Sequence, residues 1–190
     1  MTCIIGVEHN GKAWIGADGC TTLVSNNIDM AFESYSSKIV KLSNGMLIGC
    51  AGDTIAGNLL RYKFDCPEIT EGELWDKYIY STFLDKLKSC LKDYVDGDNF
   101  SAIISWYGKM YCVCNDFHIL HPPKYGVFAI GSGSNIAFGA MYGFFETYNN
   151  PSFYTNIKGN ISYALEVVSF FDNNVAPPFD IRYTEALTNK

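Results

Sequence analysis

Apolar and polar positions along the chain follow two periods, and the switches between them divide it into alternating groups of strands and helices. Residues 3–7 (Cys-Ile-Ile-Gly-Val) and 13–17 (Ala-Trp-Ile-Gly-Ala) are short runs of strand-forming character. Asn10-Gly11 lies between them. Asn-Gly between two such runs predicts a tight hairpin, because both residues tolerate the positive φ that a type I′ turn demands. A second pair, 39–42 and 46–50, is joined through Asn44-Gly45. The chain is therefore expected to open as an antiparallel sheet.

After Gly52-Asp53-Thr54 the spacing becomes helical: Ile55, Leu59 and Tyr62 fall at i, i+4 and i+7. Thr70-Glu71-Gly72-Glu73 has the form of a capping box, and Trp75, Ile79, Phe83, Leu87 and Leu91 share one face of the helix it would open, with Gly97 as its stop. Four extended runs follow, at 100–106, 110–115, 118–120 and 125–130. Beyond Gly131-Ser132-Gly133-Ser134 the helical period returns at Ala137, Met141 and Phe145, and again over 157–171 with Ile161, Leu165 and Val168 aligned. A closing strand is expected at 179–184. Strands, two helices, strands, two helices and a strand is an α+β order in which each helical pair can cover one face of a two-sheet sandwich. No repeat or linker interrupts it, so residues 1–190 are expected to form a single domain.

Composition narrows the classes. With 48% hydrophobic and 18% charged residues in 190, the chain can bury a core without disulfides or metal. Thirteen tyrosines and thirteen phenylalanines exceed what a small monomer needs to cover, which points to subunit contacts. The net charge of -6 argues against nucleic acid and against an anionic membrane surface as partners. Seven cysteines form an odd set with no secretory signal before them, as expected of reduced thiols in the cytoplasm. No apolar run approaches the length that spans a bilayer.

The candidate chemistry begins at Thr2. Removal of Met1, expected because the next side chain is small, would leave Thr2 with a free α-amine beside its hydroxyl. Such an amine has an ordinary pKa of about 7.7 to 8.0, so near neutral pH it can serve as the base for its own hydroxyl. Asp18 ends the second strand, level with Thr2, and Lys38 opens the third, a natural cation for Asp18. Gly52 lies at a strand-to-helix turn, where small residues let backbone N–H groups approach a reacting carbonyl. Taken singly, each has a plainer reading: a turn aspartate, a solvated lysine, a glycine needed for packing. Gly131-Ser132-Gly133-Ser134 invites a phosphate-binding reading, but Ile136 stands where the dinucleotide pattern needs glycine. Cys112, Cys114, His118 and His121 are donors of the zinc type, yet the two cysteines would lie on one strand rather than on a turn. No Gly-x-Ser-x-Gly elbow supports a serine hydrolase.

Read in order, Thr2 after a single methionine, Gly16-Ala17-Asp18-Gly19, Lys38-Ile39-Val40-Lys41-Leu42, Cys50-Ala51-Gly52-Asp53 and Ala129-Ile130-Gly131-Ser132-Gly133 resemble the N-terminal threonine peptidases of the proteasome β and HslV family. The single preceding residue makes the HslV type the nearer one. The resemblance implies a four-layer αββα sandwich of two antiparallel sheets, the N-terminal nucleophile hydrolase fold. It implies Thr2 as nucleophile, Asp18 and Lys38 as the charged pair that tunes it, Gly52 at the oxyanion, and Ser132 and Asp172 near the terminal amine. Cys20, Cys50 and Ala51 would line the substrate pocket, of medium size and apolar. No cofactor is required, and Ser169, Asp172 and Val175 fall where HslV-type chains hold sodium through backbone carbonyls. Val175 stands where the proteasome pattern has serine, and the stretch from Asp18 to Lys38 is about four residues longer than that pattern. The activity implied is that of a threonine-type endopeptidase, a homo-oligomer of two stacked rings fed unfolded protein or peptides by an ATP-driven unfoldase. Two alternatives are a non-catalytic ring or scaffold subunit and an N-terminal nucleophile amidase acting on a small molecule.

Overall fold

Strand β1 (Ile4–His9) turns back into β2 (Lys12–Ala17) through Asn10 and Gly11, whose φ values of +47° and +71° are those of the expected tight turn. In this computed structural model residues 2–25, 28–33, 36–70, 72–94, 99–123, 125–148 and 155–186 are described. β1 also pairs with β10 (Val127–Ile130) and β2 with β11 (Asp180–Glu185), all antiparallel, giving one sheet in the order β10-β1-β2-β11. A second sheet runs β5 (Ile39–Lys41), β6 (Leu47–Gly52), β7 (Phe100–Trp106), β8 (Lys109–Val113) and β9 (Ile119–Leu120).

The apolar runs lack a polar face because each sheet is covered on both sides. Ile4, Ala13, Ile15 and Ala17 of the first sheet meet Leu47, Ala51, Ile103 and Met110 of the second in a core between the sheets. Their neighbours in sequence point outward. Cys3, Ile5 and Val7 pack under α4 (Ser134–Tyr148) and α5 (Ile157–Phe171), against Ala137, Met141, Ile161 and Leu165. On the far side Ile48, Cys50, Ala102 and Ile104 pack under α1 (Thr54–Tyr62), α2 (Trp75–Tyr78), a π-helical turn (Ile79–Phe83) and α3 (Leu84–Leu91), against Leu60, Phe83 and Leu87. Three cores between four layers are the expected αββα sandwich. Ser105, fully buried, ties the sheets by donating to the Ala13 carbonyl at 2.7 Å.

Several local expectations change. The buried row of α1 is Ala56 and Leu60, with Leu59 half-buried, while Ile55 and Tyr62 are 39% and 81% exposed. Adjacent rows of a helix both satisfy the period, and the small Ala56 side chain lets the helix sit close to the sheet. The Thr70–Glu73 box closes its own turn, with the Glu73 N–H on the Thr70 carbonyl at 2.9 Å and the Thr70 N–H on the Glu73 carboxylate at 3.3 Å. The helix starts only at Trp75, and Leu74 gives it no side-chain cap. Of its expected row, Ile79, Phe83, Leu87 and Leu91 are buried, while Trp75 at the start is 36% exposed. The second Asn-Gly does not make a two-residue hairpin: the loop is closed by Leu42 N–H on the Met46 carbonyl at 2.8 Å, and the Asn44 side chain accepts from Met46 N–H at 3.0 Å. Strand β8 ends at Val113, because Asp116 and Phe117 take φ of +57° and +59° and turn the chain. The hairpin of β3 (Cys20–Ser25) and β4 (Ile28–Glu33) was not anticipated, and it occupies the long stretch between Asp18 and Lys38. Gly97 and the side chain of Phe145 lie outside the described residues.

Candidate active site

Thr2 stands one residue before β1's buried entry, Cys3, and Asp18 one residue after the end of β2. The hairpin register pairs Ile4 with Ala17, which brings Cys3 and Asp18 level. The Asp18 N–H donates to the Cys3 carbonyl at 3.2 Å, and the Cys3 N–H returns to Asp18 Oδ1 at 2.9 Å. Asp18 Oδ2 accepts the Cys20 N–H at 3.0 Å. A buried carboxylate is tolerable only when its lone pairs are filled. The remaining partner comes from the other sheet: Lys38, at the start of β5, places Nζ 2.8 Å from Asp18 Oδ1 and 2.9 Å from Thr2 Oγ1. The pair is enclosed, with the Lys38 side chain 11% and the Asp18 side chain 0% exposed. An ammonium donating to a hydroxyl oxygen favours the negative charge that develops there when the hydroxyl reacts.

The backbone of Thr2 is held from the opposite side. Gly131 has a φ of +90°, and a Cβ there would overlap the Thr2 carbonyl oxygen, so only glycine permits this approach. The Gly133 N–H points at the same oxygen at 3.4 Å. The glycine-serine loop thus directs its backbone to Thr2, which is a structural use for it in place of phosphate binding. Ser132 Oγ accepts from the Thr2 backbone nitrogen at 3.3 Å and donates to Asp172 Oδ2 at 2.8 Å. A hydroxyl has one proton, so the shorter contact to the carboxylate takes it and the Thr2 carbonyl, 3.4 Å away, does not. Burial pushes the Asp172 carboxyl upward, but hydrogen bonds from the Asn174 N–H, Ser132 and the Asn174 amide outweigh it and hold the group below the ordinary aspartate value. Asn174 had not been singled out. Its signal is Asp-Asn-Asn, the spacing of an Asx turn, with Asp172 Oδ1 accepting the Asn174 N–H at 3.0 Å.

Beside Thr2 opens a cleft of about 200 Å³. Cys50 and Gly52 line it, as do Lys38 and Thr21, whereas Cys20 and Ala51 do not. Strand alternation explains both cases: Cys20 is buried one residue before Thr21, and Ala51 points into the core between the sheets. Gly52 has a φ of +105° and a Cβ there would overlap the Asn99 carbonyl oxygen, so close packing alone demands glycine at that point. The lining is more polar than the apolar pocket expected, because α1 turns Thr54, Gly57, Asn58 and Arg61 toward it while Ala56 and Leu60 face the sheet. Arg61, not foreseen from sequence, donates to the Ser37 carbonyl at 2.6 Å. The Cys50 thiol is pushed up to about 12 by burial, against the pull of Arg61. Burial, reinforced by the Asp18 charge, pushes Cys3 to about 12 as well. Neither thiol is a nucleophile near neutral pH.

Ser169 lies in the last turn of α5, Asp172 follows the helix, and Val175 is buried in the next turn, its N–H on the Asp172 carbonyl at 3.0 Å. Of these three carbonyls, only that of Ser169 falls in the last helical turn, where intrahelical donors are lacking, while that of Asp172 already accepts a hydrogen bond. Cys112 and Cys114 approach to 3.8 Å between sulfurs, but His121 makes tilted ring contacts with Tyr80 and Tyr111. Among the described residues no three His, Cys, Asp or Glu side chains are grouped to hold a metal, and no helix is long and apolar enough to cross a membrane.

No family model matches the chain. In sequence it is similar to the ATP-dependent protease subunit HslV of Ligilactobacillus salivarius (strain UCC118), with 28% identity over 184 residues, 92% of this chain and 97% of that protein. In structure it is similar to Thiobacillus denitrificans BPH, both in complex with epoxomicin (TM-score 0.72) and without it (0.71), at 18% identity over 98% of this chain and 100% of that one. It is also similar to the eukaryotic HslV from Trypanosoma brucei, with a TM-score of 0.66 at 17% identity over 96% of this chain and 99% of that one. The similarity to HslV therefore extends over nearly the whole chain, and the αββα fold is shared with these solved structures.

Proposed function

We propose that this protein is an N-terminal threonine endopeptidase, the proteolytic subunit of a self-compartmentalising, ATP-dependent protease. The observation that carries the reading is the chain Thr2 Oγ1, Lys38 Nζ, Asp18 Oδ1, linked at 2.9 and 2.8 Å in an enclosed site beside an open cleft. Once Met1 is removed, the Thr2 nitrogen becomes a free amine, next to Ser132 and Asp172. Thr2 Oγ1 attacks the scissile carbonyl carbon while that amine takes the hydroxyl proton, and the Gly52 N–H stabilises the oxyanion. Collapse of the tetrahedral intermediate breaks the C–N bond, the leaving amine receives the proton, and an ester to Thr2 remains. Water, deprotonated by the same amine, hydrolyses the ester and restores the hydroxyl. Lys38 supplies positive charge at Oγ1 throughout, and Asp18 fixes its position. Sodium on the carbonyls of Ser169, Asp172 and Val175 would brace the turn that carries Asp172.

The similarity to an ATP-dependent protease subunit supports a reading in which the chain assembles into stacked homo-oligomeric rings and receives unfolded protein from an ATP-driven partner. Tyr62, Phe170 and Phe171, at 81%, 83% and 72% exposure, are apolar surface that a free monomer would leave in water, which supports subunit contacts. The free thiols of all seven cysteines accord with a cytoplasmic location. Three measurements test the proposal together: intact mass of the purified protein, labelling by a peptide epoxyketone, and mass by light scattering. The expected results are a chain beginning at Thr2, one label on Thr2 and a multi-subunit particle. A chain that keeps Met1 and takes no label favours a scaffold subunit, and a Thr2→Ala protein with full peptidase activity refutes the assignment.

A further inference from the structure

Resting on the proposed peptidase reading, we infer that Arg61 selects substrates with an acidic side chain, Asp or Glu, just before the scissile bond. Among the described residues, three charged side chains line the cleft that adjoins Thr2: Lys38, Asp53 and Arg61. Lys38 is matched by Asp18 in an enclosed pair. Asp53 caps α1 at its mouth, accepting the Ile55 N–H at 3.0 Å. Eight residues separate Asp53 from Arg61 along the helix, a rise of about 12 Å, which exceeds the screening length of about 8 Å at physiological salt. No ion pair joins Arg61 to a carboxylate among the described residues. Its partners are the Ser37 carbonyl at 2.6 Å and the face of Tyr62 at 5.9 Å.

A guanidinium has five N–H donors in a planar fork, and one carbonyl leaves most of them unused. In a half-enclosed cleft the group that matches such a fork is a carboxylate. The helix makes room for it: Gly57, one turn before Arg61, also lines the cleft, and a Cβ at Gly57 would meet nothing within 4 Å. Asn58 adds an amide on the same face. The Arg61 anchor to Ser37 lies one residue from Lys38, so the selecting cation is held against the loop that carries the nucleophile's partner.

The test uses the assembled protein and peptides that differ only in the residue before the cleaved bond: Glu, Leu or Lys. The expected kcat/KM order is Glu, then Leu, then Lys. Arg61→Gln should lower the Glu-to-Leu ratio about 10- to 100-fold, the range for losing a hydrogen bond between charged groups. Arg61→Lys should retain the Glu preference, and Arg61→Glu should favour Lys peptides. Epoxyketone labelling of Thr2 is measured on each preparation. A labelled enzyme that prefers Leu, or whose Glu-to-Leu ratio is the same in Arg61→Gln, overturns the inference and leaves the peptidase reading standing. An enzyme that takes no label and cleaves none of the peptides removes both. If Arg61→Gln does not fold, the wild-type substrate order and the Arg61→Lys variant decide.

Discussion

Replacing Asp18 with asparagine changes no volume, yet it should be among the most damaging single substitutions in the protein. Asp18 Oδ1 accepts two hydrogen bonds, from the Cys3 N–H and Lys38 Nζ, and Oδ2 accepts one from the Cys20 N–H. An asparagine oxygen placed at Oδ1 keeps the first two. Its NH₂ then meets the Cys20 N–H, donor against donor, in a site where the side chain is 0% exposed. A buried donor left unsatisfied costs about 1–3 kcal/mol. The Lys38 ammonium also loses its counter-charge, and breaking a buried pair by removing one partner costs about 3–5 kcal/mol in all. For 190 residues the unfolding entropy, about 2.1 cal/mol/K per residue, gives about 0.4 kcal/mol/K, so the melting temperature should fall by about 8 to 12 °C.

Activity should fall too, by about 100-fold or more in kcat/KM, because Lys38 is no longer fixed on Thr2 Oγ1. Lys38→Met should be similarly destabilising, since it strands the carboxylate on two backbone donors. The double variant should be less destabilised than the sum of the two singles by about 1–3 kcal/mol, because neither charge is then left alone. Thermal unfolding and peptide hydrolysis, measured on all four proteins, check the cycle. Additive losses, or an Asp18→Asn protein that melts within about 2 °C of the parent and keeps its rate, would show that the pair does not hold the site.

Gly131→Ala should abolish peptidase activity and destabilise the fold by about 1–3 kcal/mol, through a positive φ and overlap with the Thr2 carbonyl; urea unfolding and hydrolysis assays read both effects. Cys3 and Cys50, both pushed up to about 12, should resist iodoacetamide in the folded protein at pH 8, where a thiol of that kind is ionised to only about one part in ten thousand, and peptide mapping after denaturation should then find both reactive. Asp172 ionises more readily in the folded protein than the ordinary aspartate value of 3.8, so its stabilising contribution is complete above that value and lost as pH falls through the lower folded one. Asp172→Asn should therefore be less stable than the parent near neutral pH, with the gap closing on acidification in urea melts between about pH 2 and pH 6.

The residues that carry the proposed chemistry were legible because they stand at ends of strands, where a turn residue with a charge or a small side chain has few structural reasons to be there. Thr2, Asp18 and Lys38 meet as anticipated, and Ser132, itself bonded to Asp172, accepts from the Thr2 nitrogen. Strand alternation carried over less well, since Cys20 and Ala51 turned away from the cleft and Thr21 took the place expected of a neighbour. Arg61 and Asn174 were invisible for a related reason: what matters is which way a helix is rotated on its sheet and how a turn folds on its own side chain. For α1 the two candidate rows differ by one residue, and only packing against β6 separates them. The β3–β4 hairpin is not legible in the sequence, because Cys20 to Glu33 lacks a Gly turn signal and reads as mixed polar chain.

All four layers of the sandwich converge on Thr2. It hangs from β1, Asp18 from β2 of the same sheet, Lys38 from β5 of the other, Ser132 from the loop into α4 and Asp172 from the end of α5, while the cleft wall is α1. Asp18 and Lys38 are 20 positions apart, Lys38 and Thr2 are 36, and Thr2 and Ser132 are 130, so no short peptide from this chain can reproduce the constellation. A displacement of either sheet relative to the other lengthens the Lys38 contact to Thr2 before it breaks any backbone ladder, because the ladders run within sheets and this contact runs between them. Substitutions in the core between the sheets, at Ile4, Ile15 or Ile103, should consequently reduce hydrolysis at temperatures where circular dichroism still reports native strands.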